Sequence, residues 1–76
     1  MSPEERQEQI ASVMQDMRGL LVRESGLGAS GLAAIEAGSV ERLADASEEL
    51  LACHASYAAL YRRLAGLWLR PAAGRQ

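Results

Sequence analysis

The sequence has few aromatic residues, no lysine and a single cysteine. Its 76 residues include no phenylalanine, one tryptophan, two tyrosines and two prolines. One cysteine, Cys53, cannot form an internal disulfide, and a chain of this length buries only about 60 % of its unfolded surface. We therefore expect one small domain without a deep substrate pocket. Such a domain gains the rest of its core from self-association or from a partner protein.

Long apolar runs and an excess of positive charge are also missing. No window approaches the ~18 consecutive apolar residues that cross a bilayer, so no transmembrane segment is predicted. The chain has eight arginines and ten acidic residues, which give a net charge of −2. This charge argues against electrostatic binding to nucleic acid phosphates. Because no leader pattern precedes the first helix, we expect a cytoplasmic protein.

The charges that are present are unevenly distributed. Residues 1–50 hold all ten acidic side chains and four arginines, whereas residues 51–76 hold four arginines and no acidic residue. The two parts of the chain therefore attract each other, within one molecule or between two.

The N-terminal segment has the pattern of an amphipathic helix. Ser2 precedes Pro3 at the first helical position, and Glu5 stands three residues after Ser2, as in a capping box. Apolar residues then recur in steps of three and four, which predicts a helix over about 3–24. These residues are Ile10, Val13, Met14, Met17, Leu20 and Leu21.

Glycines at 26, 28 and 31 predict that this helix ends, with a flexible break before a short helix at about 31–37. Gly38 ends the short helix, and Ser39 caps a long one over about 40–69, which Pro71 terminates. We therefore predict an all-α helical hairpin that assembles into a bundle. It comprises a single domain, residues 1–70, followed by a flexible tail, residues 71–76.

The long helix carries a heptad repeat. Leu43, Leu50, Tyr57 and Leu64 form one row, and Val40, Ser47, His54, Tyr61 and Trp68 form its companion. A further apolar row, Ala46, Cys53, Leu60 and Leu67, makes the face wider than a two-stranded coiled coil needs, which indicates more than one neighbouring helix. A row of small residues, Ala52, Ala59 and Gly66, would let another helix backbone approach closely.

Two local motifs have plain structural interpretations. The glycine spacing over 26–31 matches dinucleotide-binding loops, but that mechanism needs a preceding strand, so we interpret the segment as a flexible turn. Cys53 and His54 point about 100° apart on a helix and do not act together as nucleophile and base. We predict a buried, apolar role for Cys53, with a redox or metal site as the alternative, and we assign no catalytic, cofactor-binding or metal-ligating residue.

The run from Leu32 to Leu43, continuing through Glu48–Leu51, resembles the helix, Ala-Gly turn, polar cap and helix of bacterial flagellar and type III export chaperones. The resemblance implies a small cytoplasmic helical hairpin that holds an export substrate through an apolar helix face. The glycine-rich segment departs from that pattern, in which a continuous helix is expected, and we transfer no binding residue.

These observations predict a non-enzymatic protein–protein interaction module, a bacterial adaptor or export-type chaperone that binds a partner or forms a homodimer. The predicted interaction face comprises Leu43, Leu50, Leu51, Tyr57, Leu60, Tyr61, Leu64 and Trp68. The alternative is a small acidic regulatory or inhibitory protein that docks on a basic target. Its acidic surface comprises Glu4, Glu5, Glu8, Glu41, Asp45, Glu48 and Glu49.

Overall fold

The chain folds as a helical hairpin. The computed structural model describes the backbone of residues 1–73 and the side chains of residues 1–68. Two α-helices follow each other, α1 at Pro3–Ala37 and α2 at Val40–Ala73, and they pack against each other along their length. The hairpin is 53 Å long, 24 Å wide and 12 Å thick. The predicted all-α hairpin is confirmed.

The start of α1 is stabilised by the predicted capping box. The Ser2 hydroxyl accepts a hydrogen bond from the Glu5 amide at 3.1 Å, and the Glu5 carboxylate accepts one from the Ser2 amide at 3.0 Å. Pro3 occupies the first helical position, where its missing N–H costs nothing because that group has no partner within the helix.

The turn between the helices consists of Gly38 and Ser39. Gly38 adopts the left-handed conformation at φ 69°, ψ 25°. Its amide bonds to the Ile35 carbonyl at 3.0 Å, and the Ser39 amide bonds to the Ala34 carbonyl at 2.9 Å, which completes a Schellman motif. The Ser39 hydroxyl then accepts from the Arg42 amide at 3.2 Å, so the cap predicted for the second helix is confirmed.

The predicted break in the first helix is wrong, because α1 runs without interruption through residues 26–31. Each helical glycine costs only about 1 kcal/mol relative to alanine. Packing against α2 outweighs that cost: Leu27 is half-buried, Ala34 is 0 % exposed and Gly31 faces Leu43. The segments at about 3–24 and 31–37 are therefore parts of one helix, and no flexible turn separates them.

The second helix is longer than predicted. It reaches Ala73, four residues past the expected end at Leu69. Pro71 removes one backbone hydrogen bond of the last turns but does not stop the helix. Thus α2 includes the first three residues of the segment predicted to be a flexible tail, and the remaining three, residues 74–76, lie outside the described residues.

The hydrophobic core is a narrow seam between the helices, and it is best filled in the half of the hairpin near the chain ends. There Val13, Met17 and Leu67 form a buried cluster. Partly buried side chains surround it, namely Ile10, Tyr57, Leu60 and Leu64.

Candidate interaction surface

Two rows of α2 face α1. One is the predicted heptad row at 43, 50, 57 and 64. The other is the row at 46, 53, 60 and 67. The predicted companion row, which contains Ser47 and His54, does not face α1. The side chains of both seam rows are buried or half-buried. Five residues of the predicted interaction face therefore belong to the seam of the hairpin itself. They are Leu43, Leu50, Tyr57, Leu60 and Leu64.

The other three residues of the predicted face are open to solvent. Leu51 is 70 % exposed, Tyr61 55 % and Trp68 70 %. They lie on one flank of the seam, where α1 does not reach them. The predicted face is thus divided into a part that α1 covers and a part that it leaves free.

The first helix contributes to the same flank. Positions 14, 21, 28 and 35 are seven residues apart and adjoin the seam row at 10, 17, 24 and 31, so they lie along one face of α1. The large side chains among them are exposed, as is Leu32. We call the surface formed by these residues and the three of α2 the apolar side. Its large side chains are Met14, Leu21, Leu32, Ile35, Leu51, Tyr61 and Trp68.

Shallow grooves on this side run between the helices. A groove of about 570 Å³ is lined by Met14, Leu21, Tyr57 and Leu64 together with Met17, Arg18, Val22 and Ser25. A second groove near the chain ends shares Met14 and Leu64 with it and extends to Trp68. A third, near the turn, lies between Gly28, Leu32 and Ile35 of α1 and Leu43, Leu50 and Leu51 of α2.

One polar pair lies in the middle of the hairpin. The His54 Nδ1 atom contacts the Glu24 carboxylate, with the His54 side chain 69 % exposed and that of Glu24 23 %. His54 belongs to the row that also holds Tyr61 and Trp68. The pair therefore places a hydrogen-bonded polar group at the centre of the apolar side.

The opposite flank, the polar side, differs in composition. Arg23 and Glu49 form an exposed ion pair there at 3.6 Å, and a groove near the turn is lined by Ser30, Arg42 and Asp45 among others. The row of small residues at 52, 59 and 66 is exposed and, by its register, also lies on this flank. Since the two flanks present different chemistry, a partner that recognises apolar surface would distinguish them.

Cys53 and His54 do not form a joint site. Cys53 is 5 % exposed and its thiol donates to the Leu20 carbonyl at 3.3 Å, so the predicted buried role is confirmed. His54 instead lies at the surface with Glu24. Among the described residues, no three His, Cys, Asp or Glu side chains come together in a way that could hold a metal ion.

The predicted acidic surface is divided between the two ends of the hairpin. Glu4, Glu5 and Glu8 begin α1 at the chain-end side, whereas α2 begins at the turn. The acidic residues of the turn end are accompanied by Arg42 and by Arg23, which forms an ion pair with Glu49. These acidic residues are Glu36, Glu41, Asp45, Glu48 and Glu49.

Sequence reasoning missed the contribution of α1 to the apolar side. The signal was present as the repeat Met14, Leu21, Gly28 and Ile35, whose spacing of seven continues through the glycine-rich segment. The glycines at 26, 28 and 31 obscure this repeat, because they predict the end of the helix.

No protein-family model, curated protein or solved structure matches this chain. Neither helix, over the part of the chain that the structure describes, is long and apolar enough to cross a membrane. The function proposed below therefore rests on the geometry and chemistry of the two flanks.

Proposed function

We propose that the chain is a non-enzymatic interaction module that binds an amphipathic helix along its apolar side. The observation that carries this proposal is the strip of seven large apolar side chains exposed on one flank. Isolated exposed apolar residues are normal on a protein surface, but a concentration of large apolar side chains on one flank marks a binding surface. A groove between two helices accepts a third helix through residues spaced three and four apart.

Burial of this strip supplies the binding energy. Complete burial of one large apolar side chain contributes about 1.5–3 kcal/mol, and Leu51, Tyr61 and Trp68 are each more than half exposed in the hairpin. Their neighbours across the seam come from α1, so a docked helix contacts both helices of the hairpin. It would complete a core that two helices alone leave open on one flank.

This function is that of a small bacterial adaptor or export-type chaperone acting in the cytoplasm. Support comes from the resemblance of the run from Leu32 to Leu51 to export chaperones. The departure expected at the glycine-rich segment does not arise, since α1 is continuous there. The same flank would be covered by a second copy in a homodimer or by a partner protein. Either occupant would present an apolar helix face to it.

Photo-crosslinking in the host cell tests the proposal. A benzophenone amino acid is placed at Leu51 or Tyr61 on the apolar side and, as matched controls on α2, at Ala52 or Ala59 on the polar side. We expect adducts from the two apolar-side positions only. Mass spectrometry of the adducts identifies the occupant as a second copy or another protein.

Equal adduct formation from both flanks, or none from Leu51 and Tyr61, contradicts the proposal. Circular dichroism of each purified variant verifies that it keeps its helical content. Leu50 and Tyr57 are unsuitable labelling positions, because they lie in the seam and changing them would disturb the hairpin itself.

A second candidate is a small acidic regulatory or inhibitory protein. The observation that favours it is the cluster of five carboxylates at the turn end, from Glu36 to Glu49, which exceeds its neighbouring arginines, Arg42 and Arg23. Binding through this cluster would weaken steeply as salt is raised, whereas binding through the apolar side would change little. Measuring the affinity for any crosslinked partner at low and high salt separates the two functions.

A further inference from the structure

We propose that the occupant of the apolar side is a second copy of this chain, packed with its turn at the opposite end. This inference rests on the proposed function and names the partner of the same surface. In this arrangement a two-fold axis passes through Leu21. Helix α1 packs antiparallel against α1 of the second copy, and α2 packs antiparallel against α2 of the second copy. The product is a four-helix bundle made of two hairpins.

The side-chain sizes along α1 are self-complementary about Leu21. Seven residues before it stands the bulky Met14, and seven residues after it stands Gly28. Antiparallel packing centred on Leu21 sets Met14 of each copy over Gly28 of the other. A Cβ atom built at Gly28 meets nothing within 4 Å, so this position leaves space that the methionine fills.

The charges on α1 are complementary about the same point. Arg18 lies three residues before Leu21 and Glu24 lies three residues after it. Antiparallel packing therefore sets Arg18 of each copy level with Glu24 of the other, twice in the dimer. Arg18, which lines the groove, thus meets the Glu24 carboxylate that contacts His54 at the centre of the apolar side.

The second helix follows the same symmetry. Cys53 contacts Leu20 and Tyr57 lines a groove with Leu21, so the axis through Leu21 passes α2 between the levels of Cys53 and Tyr57, and we set it at the level of Ser56. Leu51 and Tyr61 lie five residues on either side of Ser56. They therefore meet across the axis, and both are more than half exposed in the single hairpin.

The charge at the two ends selects the orientation of the second copy. Turns at opposite ends place the acidic turn end of one hairpin at the same end as the chain end of the other, where Arg6, Arg62 and Arg63 balance Glu4, Glu5 and Glu8. Turns at the same end would bring the carboxylates of the two turn ends together, which is repulsive. The broad face measures 53 by 24 Å, which is large enough to hold an interface of the roughly 800 Å² per partner that standard stable complexes bury.

Three measurements on the full chain test this dimer. Sedimentation equilibrium gives the mass. In a Cys53→Ser background, Leu21→Cys reports the axis by disulfide formation under mild oxidation, with Gly19→Cys on the polar side as its control. In the same background, a spin label at Ala37→Cys, next to the turn, reports the distance between the two turns.

We expect a dimer, a disulfide from Leu21→Cys but not from Gly19→Cys, and a label distance close to the 53 Å length of the hairpin. Gly28→Leu, which fills the space for Met14, should weaken the dimer about tenfold or more. Gly26→Leu, on the polar side, should leave the dimer unchanged and shows that the helix tolerates the substitution.

Each contrary result is decisive. A monomer at all concentrations overturns the second copy as occupant, and a dimer with a short label distance overturns the opposed orientation. Equal weakening by Gly28→Leu and Gly26→Leu removes Gly28 from the interface. If the chain is monomeric but Leu51 and Tyr61 crosslink to another protein, the proposed function stands and only this inference fails.

Discussion

The two halves of the hairpin are packed by different means. Near the chain ends, Val13, Met17 and Leu67 fill the seam with large apolar side chains. Near the turn, the buried residues are Ala34 and Ala46, and the large seam side chains Leu27, Leu43 and Leu50 are only half-buried. The chain-end half therefore draws its stability from buried apolar volume, and the turn half depends more on its caps and on close helix contact.

The largest effect should come from emptying the chain-end seam. Leu67→Ala removes a buried side chain and should lower the free energy of unfolding by about 2–5 kcal/mol. The matched change near the turn, Ala46→Gly, should cost only about 1 kcal/mol through helix propensity. Urea denaturation followed by circular dichroism at one protein concentration compares them. Equal losses would show that the two halves do not differ.

The turn half should respond most to its cap. Gly38→Ala forces a side chain into the left-handed conformation, which costs roughly 1–2 kcal/mol. The same denaturation experiment measures it. An unchanged midpoint would mean that the turn rearranges at no cost, and that the cap does not hold this half together.

A smaller effect of opposite sign should come from the glycine-rich segment. No atom lies within 4 Å of a Cβ built at Gly26, so Gly26→Ala should raise the free energy of unfolding by about 0.4–1 kcal/mol. Differential scanning calorimetry should show a higher melting temperature. A lower one would indicate a contact at Gly26 that the single hairpin lacks.

The smallest effect should come from the ion pair on the polar side. Arg23 and Glu49 are 3.6 Å apart and each is more than half exposed. Such pairs contribute about 0–1 kcal/mol. Glu49→Gln should therefore shift the urea midpoint only slightly, and less at high salt. A loss of unfolding free energy as large as that of Leu67→Ala would show that this ion pair belongs to a larger network of interactions.

Local signals predicted the helix ends well. Ser2, Glu5, Gly38 and Ser39 act through hydrogen bonds to backbone groups at most five residues away, so a short window of sequence contains the whole interaction. Pro71 is the exception, because a proline near a helix end removes a single bond and does not by itself stop the helix.

The interior of α1 could not be predicted in the same way. Leu27 and Ala34 stabilise the helix through contacts with α2, which lie beyond any local window, and these contacts outweigh the propensities of three glycines. The same limit affected the interaction face. Heptad spacing found the apolar residues of α2, but only the position of α1 decides that Leu50 is covered and Leu51 is free.

The buried thiol of Cys53 can report how often the two helices of the hairpin separate. Its sulfur lies between the helices and faces the Leu20 carbonyl at 3.3 Å, so a thiol reagent can react only after the helices separate there. The labelling rate, divided by that of an unfolded control, thus gives the equilibrium constant of opening at mid-length. This measurement needs no engineered probe. A bound partner that keeps the helices together would slow the labelling of Cys53.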